Sequence, residues 1–341
     1  MKPTMKAIAQ TLDLSINAVS LALNDRPGVS EETRTLILET AEKMGYFECK
    51  AKYKKSFSSK HIGLLIMKKN YRTRFYSKVL YGIEKEANEL GYYVIVKFLD
   101  DEELWTSMAE KKFCGLLVVG IVEEDTLERL NQYQLPIVLV DTTSYKTPLD
   151  CILTDNRIGT YESVNYLLEQ GYKEVGFFGE FTYSHSFKER YWGYLEALMG
   201  KYNDLLAVNE ISSKYSVLDK MDHYVIEYDV DAIVNIIRKR DILAKAYQCA
   251  NDETANILCA ALKTLGYRIP EDIAIIGFDD SEHANMMIPK LTTSHVKRTR
   301  MGQEAVDKLV WRMSHRKATT SKIMIPVELI LRDSTRRCEN E

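Results

Sequence analysis

Between residues 61 and 332 the chain alternates short runs rich in Val, Ile, Leu and Phe with longer amphipathic spans, and no other feature constrains its fold as strongly. Ile62–Met67, Tyr93–Phe98, Gly115–Val119, Pro136–Val140, Val175–Phe178 and Ile273–Phe278 read as strands buried on both faces. Tyr76–Leu90, Gly159–Glu169, Thr254–Leu265 and Arg300–His315 read as helices with one apolar face. Repeated β-α units imply parallel sheets flanked by helices. So long a stretch calls for two sheets. A ligand in an open α/β sheet binds beyond the carboxyl ends of the strands, so two sheets facing each other enclose a cleft.

Before residue 60 the period changes. Ile8 and Leu12, then Val19 and Leu23, then Ile37, Ala41 and Met44 line one face each of three short helices that share a core. Ser15 is the expected N-cap of the second helix and Ser30 of the third, with Glu31 and Glu32 where the helix dipole favours acids. Gly45 after Lys43 is the expected stop. The turn Asp13–Leu14–Ser15 is short enough to force the second helix across the first, as in a helix-turn-helix. In such a unit the second helix enters the DNA major groove, which exposes Ile16, Asn17, Ser20 and Leu21 to base edges. Asn17 can pair bidentately with adenine, while Ile16 and Leu21 offer apolar contact.

Charge follows the same division. Lys and Arg number 46 against 49 acids, a net of -3, yet residues 1–60 hold ten basic residues and seven acids, a net of +3 that leaves -6 for the rest. Lys50, Lys52, Lys54, Lys55 and Lys60 crowd the segment joining the two patterns, either as a solvated spacer or as phosphate contacts. The longest apolar stretch, Cys114 to Val122, has nine residues where a spanning helix needs about 20, and Met1 opens no signal segment. Six cysteines never form C-x-x-C. A cytoplasmic protein without membrane association is expected, and no cofactor or metal.

The run A-I-A-x-x-L-x-L-S-x-x-A-V-S-x-A-L-N-x-x-P-G-V-S-E-E-T-R, from Ala7 to Arg34, closely resembles the head of the lactose-repressor (LacI/GalR) family of bacterial transcription regulators. The likeness continues in Ile62–Ile66, Gly82-Ile83-Glu84, Ala250-Asn251-Asp252-Glu253, Ile269–Ile273, Ile276–Asp280, Leu291-Thr292-Thr293 and Glu328–Thr335. It implies an α/β protein: an all-α helix-turn-helix head (1–47), a linker or hinge (48–60), and a two-lobed periplasmic-binding-protein-like domain of type I (61–335) with two parallel sheets. The first lobe is expected at 61–158 plus about 292–322, the second at 159–291 plus about 323–332. The implied function is a repressor of carbohydrate use, a homodimer on pseudo-palindromic double-stranded operator DNA, controlled by a sugar or sugar phosphate between the lobes. The expected DNA-facing set is Thr4, Ser15, Ile16, Asn17, Ser20, Leu21, Asn24, Lys50, Lys54 and Lys55. The expected effector-facing set is Phe75, Tyr76, Asp141, Arg190, Asn251 and Asp279.

Bland readings stand beside these. Arg190 alone reads as a solvated residue of an amphipathic helix, preceded by a loop with Tyr183, His185 and Phe187, and Asp279 and Asp280 as caps of the next turn. The linker lacks the family's P-N-x-x-A-R-x-L, with Lys55 near its leucine, so Tyr53 or Phe57 could wedge into the minor groove instead, or lysines alone could track phosphates. Leu21 stands where many members have arginine. Arg72 and Arg74 flank the place of the family's N-P-F-F loop, which would suit an anionic effector unless they are simply solvated. The rival classes are a cytosolic sugar-processing enzyme and a solute-binding protein of the same fold. Against the enzyme, the sequence has no G-x-S-x-G, Walker loop or H-E-x-x-H.

Overall fold

The protein is described here from a computed structural model, which covers residues 4–23, 28–44, 46, 60–71, 73–110 and 113–335. The chain divides into two compact units, Met1–Lys60 and His61–Glu341.

The first unit holds α1 (Met5–Leu12), α2 (Ile16–Leu23) and α3 (Glu31–Lys43). Thr4 caps α1 by accepting from the Ala7 amide, and Ser30 caps α3 by accepting from the Thr33 amide. Asp13 ends α1 in the left-handed region at φ 54°, which turns the chain into α2 within three residues, and Ser15 accepts from the Ala18 amide. Ile8, Val19, Ala22, Ile37 and Ala41 form the buried centre, with Leu12, Leu23 and Met44 half-buried around it. Gly45 and the linker lie outside the described residues.

The second unit runs β1 (His61–Ile66), α4 (Lys68–Tyr71), α5 (Arg74–Glu89), β2 (Tyr93–Phe98), α6 (Glu103–Ala109), β3 (Gly115–Val119), α7 (Glu124–Asn131), β4 (Ile137–Val140) and β5 (Asp150–Thr154). It continues with α8 (Asn156–Glu169), β6 (Val175–Phe178), α9 (His185–Tyr202), α10 (Leu205–Tyr215), α11 (Asp222–Glu227), α12 (Val230–Arg238), β7 (Ala246–Cys249), α13 (Asp252–Thr264) and β8 (Ala274–Asp279). It closes with β9 (Thr292–His295), α14 (Arg298–Ser314), β10 (Lys322–Ile325) and β11 (Glu328–Ile330).

One sheet has the order β10-β5-β4-β3-β1-β2 with every pair parallel. The other has the order β11-β9-β8-β7-β6, parallel except for β11 against β9. The two sheets therefore define two lobes, and the chain crosses between them three times. Two crossovers fall later than the sequence suggests. Residues 292–295 pair with β8 in the second sheet rather than joining the first lobe, and 322–325 pair with β5 in the first. The polarity of T-T-S-H hides β9: Thr292, Thr293 and Ser294 are fully buried, Thr292 bonding Arg332 and Thr335 and Thr293 bonding Asp252.

Helices flank the sheets at close range. Gly82 of α5 lets that helix meet α14, since an added Cβ would lie 2.1 Å from the Thr299 carbonyl oxygen. Gly193 does the same for α9 against α8, where a Cβ would lie 2.2 Å from the Arg157 carbonyl oxygen. That second contact holds α9 against the second lobe and fixes where Arg190, one turn earlier, points.

Candidate effector site

The carboxyl ends of β4, β6, β7 and β8 converge on a cavity of about 190 Å³. All six residues expected to face an effector line it: Phe75, Tyr76, Asp141, Arg190, Asn251 and Asp279. Tyr76 and Asp141 come from the first lobe, Arg190, Asn251 and Asp279 from the second.

Arg190 is 2 % exposed, not solvated. Each of its three nitrogens donates: Nε to Asn156 at 2.9 Å, Nη1 to the Ala250 carbonyl at 2.7 Å, and Nη2 to Asp279 at 3.0 Å. Its guanidinium also lies 3.8 Å from the centre of the Phe278 ring. His185 and Phe187, expected in a loop, instead open α9, because Ser184 caps the helix by accepting from the Phe187 amide. Asp141 joins the lobes, accepting from the Tyr76 hydroxyl at 2.8 Å and from Ser186 at 2.9 Å. Asn251 differs from expectation in its bonding: its side-chain oxygen is the cap of α13, accepting from the Thr254 amide and hydroxyl.

The backbone is strained here. Asp141 has φ 59°, Asp279 φ 115° and Asp280 φ 50°, values that cost non-glycine residues free energy and cluster at functional sites. Asp280 is not a ligand-facing partner of Asp279; it accepts from Arg332 at 2.6 Å and bonds His295 at 2.8 Å.

Sequence reasoning passed over Asn70, Asn156, Ser186 and Asp222, which carry no motif. Asn156 orients Arg190, and Asn70 and Asp222 line the cavity. Of the two arginines suggested for an anion, Arg72 lies outside the described residues. Arg74 reaches away from this cavity to His283, 2.7 Å distant, and lines a neighbouring one of about 200 Å³ with Lys78 and Arg298.

The cavity's acids resist ionisation. Burial, reinforced by the facing Glu180, pushes the Asp222 carboxyl up to about 7. Burial pushes Asp279 up to about 7 although Arg190 draws it down, and burial also raises Asp141 against hydrogen bonds from Tyr76 and Ser186. A carboxyl raised in the folded state holds more protons there than in the unfolded chain. Its stabilising contribution is thus complete below the unfolded pKa of about 3.9 and is lost as pH rises towards the folded value. Asp222→Asn should therefore gain stability relative to the native chain between about pH 5 and pH 7.5 and level off above it. Urea unfolding of both proteins across that range measures the difference, and a gap with no pH slope would mean Asp222 is ionised throughout.

In the head, Ile16 is half-exposed and Asn17 exposed at the start of α2, while Ser20 and Leu21 are partly covered. The hydroxyl oxygens of Thr4 and Ser15 serve as caps and are shared with those amides. Asn24, Lys50, Lys54 and Lys55 lie outside the described residues.

A helix-turn-helix unit on the same chain as a two-lobed binding domain with a polar, strained cleft defines a ligand-controlled DNA-binding regulator. Residues 164–335, about half the chain, match the periplasmic binding protein-like domain family. The HTH-type transcriptional repressor PurR of Mannheimia succiniciproducens is 25 % identical, over 98 % of this chain and 99 % of that protein. The structure of the transcriptional regulator CelR in complex with cellobiose has a TM-score of 0.68 at 21 % identity, covering 97 % of this chain and 99 % of that one. The lac repressor dimer bound to operator and the anti-inducer ONPF has a TM-score of 0.66 at 21 % identity, covering 97 % and 98 %. The chain belongs to the periplasmic binding protein-like domain family, and along almost its whole length it is similar to HTH-type transcriptional repressors.

Proposed function

We propose that this protein is a cytoplasmic homodimeric repressor of a carbohydrate-utilisation operon, without enzymatic activity, whose DNA affinity is set by a small polyhydroxylated effector in the interlobe cavity. Residues 1–47 would read a pseudo-palindromic operator, 48–60 would form the linker, and 61–335 would bind effector and dimerise. The observation carrying this reading is the bridge at Asp141. One carboxylate accepts from Tyr76 of its own lobe and Ser186 of the other, so a ligand that competes for those donors alters lobe closure. Such a ligand controls DNA binding only through different affinities for two closure states. CelR was solved with cellobiose, and a LacI-family regulator of Enterococcus faecium with ribose, which supports a sugar as the class of ligand. A volume of about 190 Å³ is small beside the ~300–1,000 Å³ of drug-sized sites and suits a single sugar ring. No helix among the described residues is long and apolar enough to cross a membrane.

A thermal-stability screen of sugars and sugar phosphates tests the reading. A ligand at about 100 times its dissociation constant should add about 2.7 kcal/mol to the folded state. Asp279→Ala should abolish that gain, and a full gain in this variant would place the effector elsewhere.

A further inference from the structure

We infer that the effector is an amine-bearing polyol of the amino-sugar class, its ammonium group held by Asp222 and Glu253 and one of its hydroxyls taken by Asn70. This rests on the proposal that a polyhydroxylated ligand occupies the interlobe cavity.

Four carboxylates line the cavity, Asp141, Asp222, Glu253 and Asp279, against two cations, Lys69 and Arg190. Their partners are unequally distributed. Arg190 and Asp279 bond each other, and both oxygens of Asp141 are occupied by Tyr76 and Ser186. Asp222 and Glu253 remain. Asp222 is 8 % exposed and has a hydrogen bond from Tyr183, while the neighbouring Glu180 turns its carboxylate to the Met221 and Asp222 amides and adds negative charge behind it. Glu253, exposed at the start of α13, accepts no hydrogen bond among the described residues. The other cation of the cavity, Lys69, is exposed on α4 and draws Asp222 only partly towards ionisation. Arg74 and His283 act on Glu253 from the neighbouring cavity. A ligand phosphate or carboxylate would enter beside four carboxyl groups, and the deeply buried guanidinium that could receive it already commits three of its five N–H groups to Asn156, Ala250 and Asp279.

Asn70 supplies an independent sign of a ligand. It is 4 % exposed, lines the same cavity, and its side-chain Nδ2 has no partner, although a buried amide donor without an acceptor is costly. Beside it Gly120, at φ 79°, lets both side chains pack against its backbone, since a Cβ there would stand 2.7 Å from Nδ2 and 2.9 Å from the Tyr76 hydroxyl oxygen. An uncommitted donor and two carboxyls that form no ion pair among the described residues, on one cavity, match a molecule with a hydroxyl and a protonated amine. A bound cation would also let Asp222 ionise, so binding near neutral pH would release protons.

Titration calorimetry on the full chain tests this with glucosamine, galactosamine and mannosamine, each beside its parent hexose, its N-acetyl derivative and the hexose 6-phosphate. N-acetylation removes the charge and keeps the ring, as acetylation does for lysine. At least one amine should bind about tenfold more tightly than both neutral counterparts, a difference of about 1.4 kcal/mol. Repeating that titration in buffers of different ionisation enthalpy should reveal net proton release. Asp222→Asn should weaken the amine about tenfold more than it weakens the parent hexose, which erases the preference. Should that variant fail to fold, Glu253→Gln at an exposed position should do the same. Parent hexoses or phosphates binding as well as the amines would overturn the inference and leave a sugar in the cleft. Absence of binding by all four classes would overturn both.

Discussion

Arg190→Met should lower the unfolding free energy by about 3–5 kcal/mol, because it strands a buried acid and two buried acceptors at once. The residue is 2 % exposed and its guanidinium joins Asp279 on β8, Asn156 at the start of α8, and the Ala250 carbonyl after β7. Methionine keeps most of the volume over the Phe278 ring, so the loss is mainly one of polar partners. The size of the effect should depend on pH. With Arg190 present, Asp279 is already pushed up to about 7 by burial, and without the cation its charged form becomes less favourable still. At about pH 5 Asp279 takes up a proton and the vacancy costs less; at about pH 8 it must ionise uncompensated or shift its pKa further. The double variant Arg190→Met/Asp279→Asn should recover part of the loss and most of the pH dependence, the sign of a coupled pair. Urea unfolding at the two pH values measures all three proteins. Additive losses in the double variant would mean that the ion pair contributes nothing of its own.

How much of this was legible in the sequence differs from element to element, and the differences have causes. Apolar runs such as L-L-V-V and I-V-L-V announce β3 and β4 because their side chains are buried on both faces of a parallel sheet. The same reasoning passes over β7, A-Y-Q-C, and β9, T-T-S-H. In β7 the buried Gln248 is satisfied by Ser163 and by the carbonyls of Cys249 and Gly277, so its polarity is offset by partners distant in sequence. Polarity was a misleading guide for Arg190 too. The helix carrying it has no strong amphipathic stripe of its own, and the cation is buried because Gly193 admits the Arg157 backbone and brings α8 and α9 together. The family motif therefore located the cavity's main polar residues, while periodicity alone would have left Arg190 in solvent. Asp222 and Asn70 were not legible by either route. Nothing local marks a carboxyl or amide whose importance comes from having few partners in a cavity assembled by four separate strand ends.

Removing residues 1–60 should abolish specific DNA binding, the largest functional loss expected of any change to this chain, and should leave effector binding intact. The division after Lys60 separates two compact units, and all the cavity's lining residues lie beyond it. The deleted part carries a net +3 and the remainder -6, so the truncated protein also loses its attraction for phosphate and should not retain salt-sensitive nonspecific binding. Within the head, substitutions should separate positioning from reading. Thr4 and Ser15 spend their oxygens as helix caps, so Ser15→Ala should destabilise the head by about 0.5–2 kcal/mol and weaken binding to all sequences alike. Asn17 is exposed at the start of α2 and caps nothing, so Asn17→Ala should leave folding unchanged and cost about 1–3 kcal/mol only on the preferred operator. Binding isotherms on the operator and on a scrambled duplex, at matched salt, compare the two. Equal weakening by Asn17→Ala on both duplexes would make it a phosphate contact. Operator binding by residues 61–341 alone would remove the head from the interface altogether, because the unit that remains holds no second helix-turn-helix among its described residues and carries the wrong sign of charge.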